Sequence, residues 1–384
     1  MDLASVRTAD DARPVRVAVD AMGGDHAPLE VVLGSLAYAR EHAADEVILV
    51  GGEAAIRGVA DGPLPPNVSI ERSGSVIGMD EAPATALRQK KDASIVVAMD
   101  LVKAGRADAI LTAGHSGAGM AAAVLRLGRL PGVDRPALAV QMITAKGPMV
   151  FLDIGANPDS TGENLYQYAH MGALFAERVM GVPDPSVALL SLAEEKGKGD
   201  ARIVRATELL DRSTLRFIGN TEGKDLAYHP ADVVVCDAVL GNVTMKFFEG
   251  LSGLIFDMLR EEFRKPPRGP LAYALMKPGI GRIRSTFDYE RLGGSPLLGV
   301  RGTVLITHGR SKRRMIGFGV AVAAAAARAG IPEAIGDAFR GAGPDGILPA
   351  DLTRAASLAQ AAGSTADPAI ADATARVVSA EPVA

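Results

Sequence analysis

Seven times along this chain, a short apolar run rich in β-branched residues ends in a cluster of glycines and polar residues. Apolar runs of this length predict buried strands, and the glycines that follow predict tight turns. Helical patterns follow several of these turns, so the chain is expected to form an α/β fold. The seven segments are residues 17–28, 107–120, 149–172, 187–200, 215–223, 231–246 and 302–312.

The first segment, VAVDAMGGDHAP, predicts a strand, a turn at Gly23 and Gly24, and a helix with Pro28 in its first position. Glycine lets the backbone pass close to a ligand, and free N–H groups at a helix start attract anions. A single turn of this kind can also be purely structural, and Asp20 is expected to organise it. Ligands of open α/β sheets bind outside the carboxyl ends of the strands. Seven polar clusters on one sheet edge therefore predict a cleft for a small anion.

Composition and charge exclude several classes of function. A formal net charge of −4 and a pI of about 5.9 argue against nucleic acid as the main partner. Aromatic residues make up 4% and tryptophan is absent, which disfavours a stacking platform for bases. The single cysteine, Cys236, excludes an internal disulfide, and its apolar surroundings predict a buried thiol. The polar start and the lack of a long apolar run predict a cytoplasmic protein.

The ends of the chain differ from its middle. Residues 1–14 carry charge and little apolar content, which predicts a flexible tail. Residues 341–384 form a low-complexity stretch rich in small residues and proline. Residues 15–340 are expected to form the α/β domain, in which the run Ala323–Ala327 predicts a helix packed tightly against the sheet.

One segment, residues 247–285, interrupts the alternation of strands and helices. Large apolar side chains lie at helical spacing, KPPRGP ends that helix, and a second apolar run follows at residues 271–276. Basic residues surround the second run. The pattern predicts an amphipathic helical hairpin that is buried in a subunit interface or lies on an anionic membrane, and the two are compatible. The apolar residues of the first helix are Phe247, Leu251, Leu254, Ile255 and Met258.

These motifs resemble those of the bacterial phosphate acyltransferases of phospholipid synthesis, the PlsX family. The similar stretches are VAVDAMGGDHAP, TAGHSGA, LDIGAN, EEKGKG, GNTEGKD, VVVCD with GNVTMK, and GGSPLLGVRG with THGRS. The resemblance implies a Rossmann-like layered sheet similar to the scaffold of isocitrate and isopropylmalate dehydrogenases and of phosphotransacetylases. It also implies transfer of a long acyl chain from acyl carrier protein to inorganic phosphate. The implied partners are a second copy of the chain, an anionic membrane and the membrane glycerol-3-phosphate acyltransferase.

That reaction makes modest demands on side-chain chemistry. Phosphate is already an anionic nucleophile, and a thiolate leaving group with a pKa of about 8.5 needs little help from a general acid. The site must hold phosphate and direct a positive or N–H donor at the developing oxyanion. The chain contains no GxSxG or HExxH motif and no Cys/His metal spacing, so neither a metal nor a cofactor is expected.

Lys198, in the loop EEKGKGD, is the predicted catalytic residue, because the resemblance aligns it with a lysine of the family. Its expected role is to stabilise the thioester oxyanion or to orient phosphate. An exposed loop lysine is the alternative, and this is the role expected of Lys196. Asp200 stands where the family usually has Asn, and residues 191–193 stand where it usually has Asn-Ile-Gly. His115 also replaces an Asn of the family and is expected to be structural.

The other candidates are expected to bind phosphate or acyl substrate at the remaining strand ends. Several have a structural alternative: Asp25 can cap a helix, Asn157 can cap a turn, and His308 can hold a strand end. Lys246 falls one helical turn after Asn242, so both can face one cleft. The candidates are Gly23, Gly24, Asp25, Ser116, Gly117, Asn157, Asn220, Asp237, Asn242, Lys246, His308 and Ser311.

Other classes of function stay open on the residues alone. A phosphotransacetylase-like enzyme would use acyl coenzyme A and would not need the hairpin. A dehydrogenase would show a GxGxxG turn at the start of a helix, and no clear one occurs here. A non-catalytic scaffold for carrier protein or membrane would not need so many polar turns.

Overall fold

The computed structural model describes residues 13–60, 62–265, 268–286, 288–343, 346–348, 351 and 354, without the side chains of residues 284–286. The strands are β1 (Arg16–Asp20), β2 (Glu46–Gly51), β3 (Val68–Arg72), β4 (Ala109–Thr112), β5 (Ala137–Thr144), β6 (Gly147–Leu152), β7 (Ser186–Leu190), β8 (Arg216–Thr221), β9 (Val233–Val235), β10 (Ser295–Leu298) and β11 (Thr303–Ile306). Within the described ranges these strands form one sheet, in the order β3–β2–β1–β4–β11–β10–β5–β6–β9–β7–β8. All seven apolar runs that precede polar clusters contain strands, as the sequence predicts.

Strand direction divides the sheet into two parallel groups. β3, β2, β1, β4 and β11 run one way, and β6, β9, β7 and β8 run the other way. The reversal occurs at β10 and β5, which pair antiparallel with their neighbours. The expectation that all seven polar clusters lie on one sheet edge is therefore wrong. Three follow strands of the first group, and four follow strands of the second group and lie at the opposite edge.

Helices connect the strands, as the alternating pattern predicts. They are α1 (Leu29–Glu41), α2 (Glu53–Val59), α3 (Pro83–Gln89), α4 (Ser94–Lys103), α5 (Ser116–Ala122), α6 (Gly162–Arg178), α7 (Ala201–Leu210), α8 (Ala238–Arg264), α9 (Arg268–Thr286), α10 (Arg313–Arg328) and α11 (Ile331–Ala338). A π-helical turn, Ala123–Leu127, extends α5. Pro28 is the capping residue of α1 rather than its first helical residue, so this helix begins one residue later than expected.

Separate buried clusters support the two halves of the sheet. In the first half, α1 and α10 pack on the sheet, and Val19, Leu111 and Phe318 are buried between them. The alanine run Ala323–Ala327 lies in α10 and is buried along its whole length, as predicted. In the second half, α6 packs on β6 and β9 and buries Phe175. Full burial of one such large apolar side chain contributes about 1.5–3 kcal/mol to stability.

The two helices of the predicted hairpin segment, α8 and α9, carry many exposed apolar side chains. α8 ends just before the KPPRGP stretch and α9 begins within it, so the break falls where the sequence predicts it. The rings of Phe263 and Tyr273 meet edge to face with their centroids 5.6 Å apart, which holds the two helices together. The five apolar residues predicted for the first helix are exposed, as are Leu271 and Leu275. This pair of helices is called the α8–α9 segment below.

The first part of the predicted C-terminal tail packs on the domain. Leu348 and Asp351 are buried, and the Asp351 carboxylate accepts hydrogen bonds from the Tyr166 hydroxyl at 2.5 Å and from the Thr214 N–H at 2.7 Å. His170 lies 2.9 Å from the same carboxylate. Because of these contacts, the folded domain extends beyond residue 340. Residues 1–12 and most of residues 341–384 lie outside the described ranges.

Membrane-spanning character is weak among the helices. Within the described ranges, no single helix combines the length and the apolar composition needed to cross a bilayer. α10 and α11 together reach that length and composition, with a bend of 44° between them. α10 is buried in the core of the domain, and this burial accounts for its apolar composition.

Candidate functional site

The turns after β1, β4 and β11 fold against one another at one edge of the sheet. A Cβ atom on Gly23 would lie 2.8 Å from the Gly114 nitrogen, and one on Gly24 would lie 3.1 Å from the carbonyl oxygens of Ala113 and Gly309. Gly24 also has a φ of +109°. Only residues without side chains let the three turns meet so closely. This glycine-turn cluster consists of residues 21–28, 113–117 and 307–312.

A buried carboxyl group, that of Asp20, lies beneath these turns. Its side chain is 2% exposed, and Oδ2 accepts a 2.8 Å hydrogen bond from the Thr112 hydroxyl. The Thr112 hydroxyl accepts the Gly114 N–H at 3.0 Å. Burial raises the pKa of Asp20 above its usual value, and hydrogen bonds from two side-chain hydroxyls and two backbone N–H groups offset only part of that rise. Asp20 therefore links the turn after β1 to the turn after β4.

The start of α5 belongs to the same cluster. His115 is the N-cap of this helix, and its Nδ1 atom accepts the Ala118 N–H at 3.4 Å, which is a structural role. Gly117 packs against the His115 ring, which lies 3.0 Å from where a Cβ would be. Ser116 is exposed at the first position of the helix. Its hydroxyl is thus accessible at the surface of the cluster.

Cationic groups reach the cluster from β11 and from α8. Arg310, in the turn after β11, pairs with Glu249 of α8 at 3.1 Å, and Lys246 lies one turn earlier on that helix. Burial, Arg310 and Lys246 lower the pKa of His308, whereas Glu249 and Asp25 act in the opposite direction. The His308 imidazole is therefore neutral at neutral pH. Its Nδ1 accepts the Arg310 N–H at 3.5 Å, which leaves Nε2–H as a donor.

Two predicted ligands in this cluster shape the turns through their own contacts. The Ser311 side chain is buried, and its hydroxyl lies 3.0 Å from that of Thr307. The Asp25 N–H donates to the Gly309 carbonyl at 2.8 Å, while its exposed carboxylate does not cap α1. The capping residue of α1 is Pro28, without a side-chain hydrogen bond. The helix-capping alternative for Asp25 is therefore wrong.

A second group of polar residues lies at the opposite edge of the sheet, after β6, β7, β8 and β9. The Asp153 carboxylate is fully buried there and accepts five hydrogen bonds of 2.8–3.1 Å from N–H groups of Leu138, Gly155, Ala156 and Asn157. The Asn157 side-chain amide donates to Asp153 and to the Pro136 carbonyl, so both of its hydrogens hold the loop. This Lys198 cluster consists of residues 153–157, 191–200, 220 and 237–242.

The first turn of α8 completes the Lys198 cluster. Asp237 caps the helix, and its Oδ1 accepts the N–H groups of Val239 and Leu240 at 3.0 and 3.2 Å. Asn242 faces the loop after β6, since a Cβ on Gly155 would lie 3.4 Å from its Nδ2. The Asp237 carboxylate thus bonds the start of α8, whereas the Asn242 amide faces Gly155 in the loop after β6.

The cysteine of the chain lies behind this helix start. Cys236 is fully buried, as predicted, and burial raises the pKa of its thiol well above the usual value. A Cβ on Gly241 would meet the Cys236 sulfur at 3.1 Å and would overlap the Asp153 carbonyl oxygen. The thiol is a packing group here, because a buried thiol with a raised pKa is a poor nucleophile.

Lys198 lies in the exposed loop between β7 and α7. Among the described residues, its ammonium group has no ion-pair partner, whereas Lys196 pairs with Asp211 at 3.0 Å. The Lys198 carbonyl accepts hydrogen bonds from the Ser191 hydroxyl and the Asn220 amide, both at 3.5 Å. Asn220 therefore contacts the loop backbone, and the Lys198 ammonium remains accessible to a ligand.

Arg202 is a second cation beside this loop and was not predicted. Its guanidinium pairs with Asp200 at 2.6 Å and lies 3.6 Å from Asp237. Asp200 also caps α7, accepting the N–H groups of Arg202 and Ile203 at 2.9 and 3.1 Å. Asp and Asn cap helices equally well, so either residue type can fill this position. Arg310 was missed as well, although the THGRS motif contains it.

α8 connects the two clusters. It is capped by Asp237 in the Lys198 cluster, and Glu249 reaches Arg310 in the glycine-turn cluster. At 1.5 Å per residue, the stretch between these two positions spans about 18 Å. Asn242 and Lys246 both lie on it. The predicted cleft with all polar turns on one edge is thus replaced by two clusters at opposite edges, joined along one helix.

A cavity of about 720 Å³ lies away from both clusters, beside the amino ends of β4 and β11. Two of its arginines are engaged: Arg13 lies 3.9 Å from Asp108, and Arg301 donates to the Arg129 carbonyl at 3.0 Å. Over the described part of the chain, no three His, Cys, Asp or Glu side chains are arranged to hold a metal ion. Accessible cations and exposed polar turns occur instead at the two clusters.

The fold is similar to that of solved phosphotransacetylases. A phosphotransacetylase from Streptococcus pyogenes superposes with a TM-score of 0.54 at 18% identity and covers 83% of this chain and 94% of its own. A branched-chain phosphotransacylase from Enterococcus faecalis V583 gives a TM-score of 0.51 at 15% identity and covers 82% and 99%. At these identities the likeness shows the fold alone, and it confirms the expected phosphotransacetylase scaffold.

Sequence relatives are more specific. Residues 15–334 match the family described as fatty acid synthesis protein. A phosphate acyltransferase from Desulfitobacterium hafniense is 45% identical over 323 residues, which is 84% of this chain and 96% of the relative. A phosphate acyltransferase from a Nostoc species is 46% identical over 306 residues, which is 78% of this chain and 88% of the relative. The resemblance of the motifs is thereby confirmed, and the chain belongs to this family of fatty acid synthesis proteins.

Proposed function

We propose that the chain is an enzyme that transfers a long-chain fatty acyl group from acyl carrier protein to inorganic phosphate. The product, an acyl phosphate, supplies the first step of phospholipid synthesis. The observation that carries this function is the 45% identity to a phosphate acyltransferase over 84% of the chain. Both polar clusters fall within residues 15–334, which match the family.

Phosphate is proposed to bind in the glycine-turn cluster. Lys246 and Arg310 supply positive charge there, and the neutral His308 supplies an N–H donor. The close packing at Gly23 and Gly24 holds the backbone of the turns in fixed positions. Fixed donors directed at an anion are what a reaction with a charged nucleophile and a charged transition state requires.

Lys198 is proposed to act on the acyl thioester. A phosphate oxygen attacks the thioester carbonyl carbon, so a C–O bond forms and the carbonyl oxygen becomes an oxyanion. The accessible Lys198 ammonium stabilises this charge, which requires the Lys198 loop and the phosphate-binding turns to converge on the substrate along α8. The carbonyl then re-forms while the C–S bond breaks, and the carrier's thiol leaves as a thiolate, whose pKa of about 8.5 makes prior protonation unnecessary. Neither a metal nor a cofactor enters these steps.

We further propose that the enzyme is a cytoplasmic homodimer that attaches to an anionic membrane through the α8–α9 segment. The exposed apolar face of α8 and the exposed Leu271 and Leu275 of α9 support this proposal. Arg268 and Lys277 place positive charge on α9. At that surface the acyl phosphate passes to the membrane glycerol-3-phosphate acyltransferase.

The test is acyl phosphate formation from a long-chain acyl carrier protein and inorganic phosphate, with Lys198→Ala and Lys196→Ala compared. Lys196 is the matched control, because it is exposed in the same loop but pairs with Asp211. We expect Lys198→Ala to lower kcat by about 10²–10³, as for the loss of one oxyanion donor. Lys196→Ala should keep kcat within about twofold, because surface ion pairs contribute little.

Each outcome has a separate meaning. Product formed only from acyl coenzyme A would favour the phosphotransacetylase-like alternative. No product from the folded wild type would reject the enzyme and favour a scaffold. Equal activity of Lys198→Ala and Lys196→Ala would support the proposed reaction but show that Lys198 does not take part in it.

A further inference from the structure

The starts of α7 and α8 are capped by two aspartates that share one counter-ion. In each aspartate, Oδ1 accepts backbone N–H groups of its own helix, Asp200 those of α7 and Asp237 those of α8. The two Oδ2 atoms lie beside the same guanidinium, that of Arg202. Its Nε and Nη2 donate to Asp200 Oδ2 at 3.0 and 2.6 Å, and Nη2 lies 3.6 Å from Asp237 Oδ2. One side chain thus joins two helix starts that are distant in sequence.

The position of Lys198 depends on the start of α7. Gly199, the next residue, has a φ of +117°, and a Cβ on it would lie 2.9 Å from the Cβ of Ile203 in the first turn of that helix. Asp200 caps the same turn. Toward the strands, the Lys198 carbonyl accepts two hydrogen bonds of 3.5 Å, which is long for such a bond. A shift of the α7 start would therefore move Lys198 with it.

We propose that Arg202 is a positioning residue for the acyl transfer, because it holds the loop of Lys198 against α8, the helix that carries Asn242 and Lys246. The inference rests on the proposed function and deepens it. The function assigns Lys198 to the thioester, and Arg202 fixes the place of that lysine relative to α8. Arg202 itself contacts neither phosphate nor the thioester in this scheme.

A guanidinium suits this contact. It is planar and directs several N–H donors along fixed lines, so it can bond two carboxylates at once, whereas lysine carries a compact charge on a flexible stem. The hydrogen bond from Arg202 lowers the pKa of Asp200, and Asp200, Asp237 and Asp159 raise the pKa of the guanidinium. The Asp200–Arg202 pair therefore keeps both charges at neutral pH. Without Arg202, the two capping carboxylates would be neighbours that lack their shared counter-ion, and like charges repel.

The Arg202 contact should matter more for the reaction rate than for stability. The side chains of Arg202 and Asp200 are 38% and 49% exposed, and exposed ion pairs contribute little to the free energy of unfolding. By contrast, a displacement of about 1 Å in a catalytic group can lower a rate by about 10². Loss of Arg202 is therefore expected to lower kcat in a protein that stays folded.

The experiment compares Arg202→Met, Asp237→Asn and the double variant. Methionine removes the charge, and asparagine caps a helix as well as aspartate does but carries no charge. Arg205→Met is the matched control, because Arg205 lies on the same helix and is 46% exposed, but pairs with Glu163 of α6 at 2.8 Å. We measure kcat, the KM values for long-chain acyl carrier protein and phosphate, and the urea midpoint.

We expect Arg202→Met to lower kcat by about tenfold, with both KM values within about threefold and the urea midpoint nearly unchanged. Asp237→Asn should act in the same direction, because it weakens the same contact. The double variant should lose about as much kcat as the more affected single variant, because the effects of two residues in one contact do not add. Arg205→Met should keep kcat within about twofold.

A second measurement does not depend on catalysis. Hydrogen exchange of the peptides that contain the starts of α7 and α8 reports on the N–H groups that the two aspartates accept. In Arg202→Met, exchange should become about two- to fivefold faster at both helix starts, the range expected for loss of an exposed ion pair. Arg205→Met should leave exchange at the start of α8 unchanged.

Three results would overturn the inference. Losses of kcat that multiply in the double variant would show that Arg202 does not act through Asp237. A rise in KM of about tenfold or more with kcat unchanged would make Arg202 a direct substrate contact. Unchanged exchange at the start of α8 in folded Arg202→Met would show that this side chain does not hold the two helices together. If the wild type forms no acyl phosphate while the exchange result is as expected, the proposed function fails and only the link between the helices holds.

Discussion

At the scale of single residues, helix capping and ligand binding use the same side chains, and in this chain capping takes many of them. Asp200 and Asp237 accept backbone N–H groups at the starts of α7 and α8, and His115 does so at the start of α5. The Asn157 amide and the Ser311 hydroxyl are likewise engaged by neighbouring protein groups. The groups left to bind an anionic ligand are therefore lysine and arginine side chains and the exposed turns, and these form the proposed site.

Asp153 should contribute more to stability than any neighbouring acid in its loop. Asp153→Ala removes the acceptor of several buried N–H groups and leaves a cavity in place of the carboxylate. Each unsatisfied buried donor costs about 1–3 kcal/mol. We expect the free energy of unfolding in urea to fall by about 3–5 kcal/mol. Asp159, exposed in the same loop, is the matched control, and Asp159→Ala should change it by less than about 0.5 kcal/mol. Similar losses in both variants would show that the Asp153 carboxylate does not hold the loop.

The sequence located the turns of the site but not the atoms that each turn exposes. Glycines and polar residues after an apolar run allow few structures other than a turn, so the VAVDAMGGDHAP and THGRS turns were predicted correctly. The side chains of Asp25 and Ser311 can each cap a helix, hold a turn or bind a ligand. Which of these occurs depends on residues far along the chain: the Gly309 carbonyl, for example, accepts the N–H of Asp25. Arg202, in the first turn of α7, and Arg310, in the turn after β11, were missed because a single arginine forms no pattern.

At the scale of secondary-structure elements, α8 carries opposing charges next to His308. The positive charge of Lys246 lowers the pKa of His308, and the negative charge of Glu249 raises it. We therefore expect Lys246→Met to raise the pKa of His308 and Glu249→Gln to lower it further. NMR titration of the imidazole proton measures both shifts, and their opposite signs are the prediction.

Lys277→Met is the control for this pair of shifts. It removes the same charge from α9, which is not among the elements that act on His308. Shifts of the same sign in the two α8 variants would contradict the placement of this helix beside the turn after β11. So would a shift in the control as large as that of Lys246→Met.

Element types were predicted better than strand directions. Apolar runs located the seven strands that precede polar clusters, because β-branched residues between turn signals favour strands. The reversal between the two parallel groups depends on β10 and on the hairpin of β5 and β6. Buried parallel and antiparallel strands use the same apolar residues, and only pairing partners far apart in sequence set their direction. The expectation of one common sheet edge failed for this reason.

At the scale of the whole molecule, one helix joins the proposed reaction site to the proposed contact surface. α8 has 27 residues: its first part carries Asn242 and Lys246, and its second part carries exposed apolar residues such as Leu254. Substitutions near the end of the α8–α9 segment are therefore separated from the reacting groups by several helical turns. Membrane binding and catalysis can be tested independently in the same protein.

The membrane proposal predicts the behaviour of the double variant Leu271→Glu/Leu275→Glu. These leucines are 65% and 76% exposed, and burying one leucine side chain contributes about 1.5–3 kcal/mol. We expect sedimentation with anionic vesicles to fall by at least about tenfold, since each 1.4 kcal/mol is a factor of ten. Leu125→Glu/Leu192→Glu is the matched control, because these leucines are 66% and 74% exposed outside the segment.

Light scattering on the same samples measures their oligomeric state. This measurement shows whether the α8–α9 segment forms a membrane contact or a subunit interface. Unchanged vesicle binding in a folded dimer would reject the membrane contact. Dissociation of the dimer in the Leu271→Glu/Leu275→Glu variant would place these leucines in the subunit interface instead. An equal loss in the control would mean that binding follows overall surface hydrophobicity. Acyl phosphate formation from water-soluble carrier protein should stay close to wild type, because the substitutions lie on α9 and leave residues 237–249 of α8 unchanged.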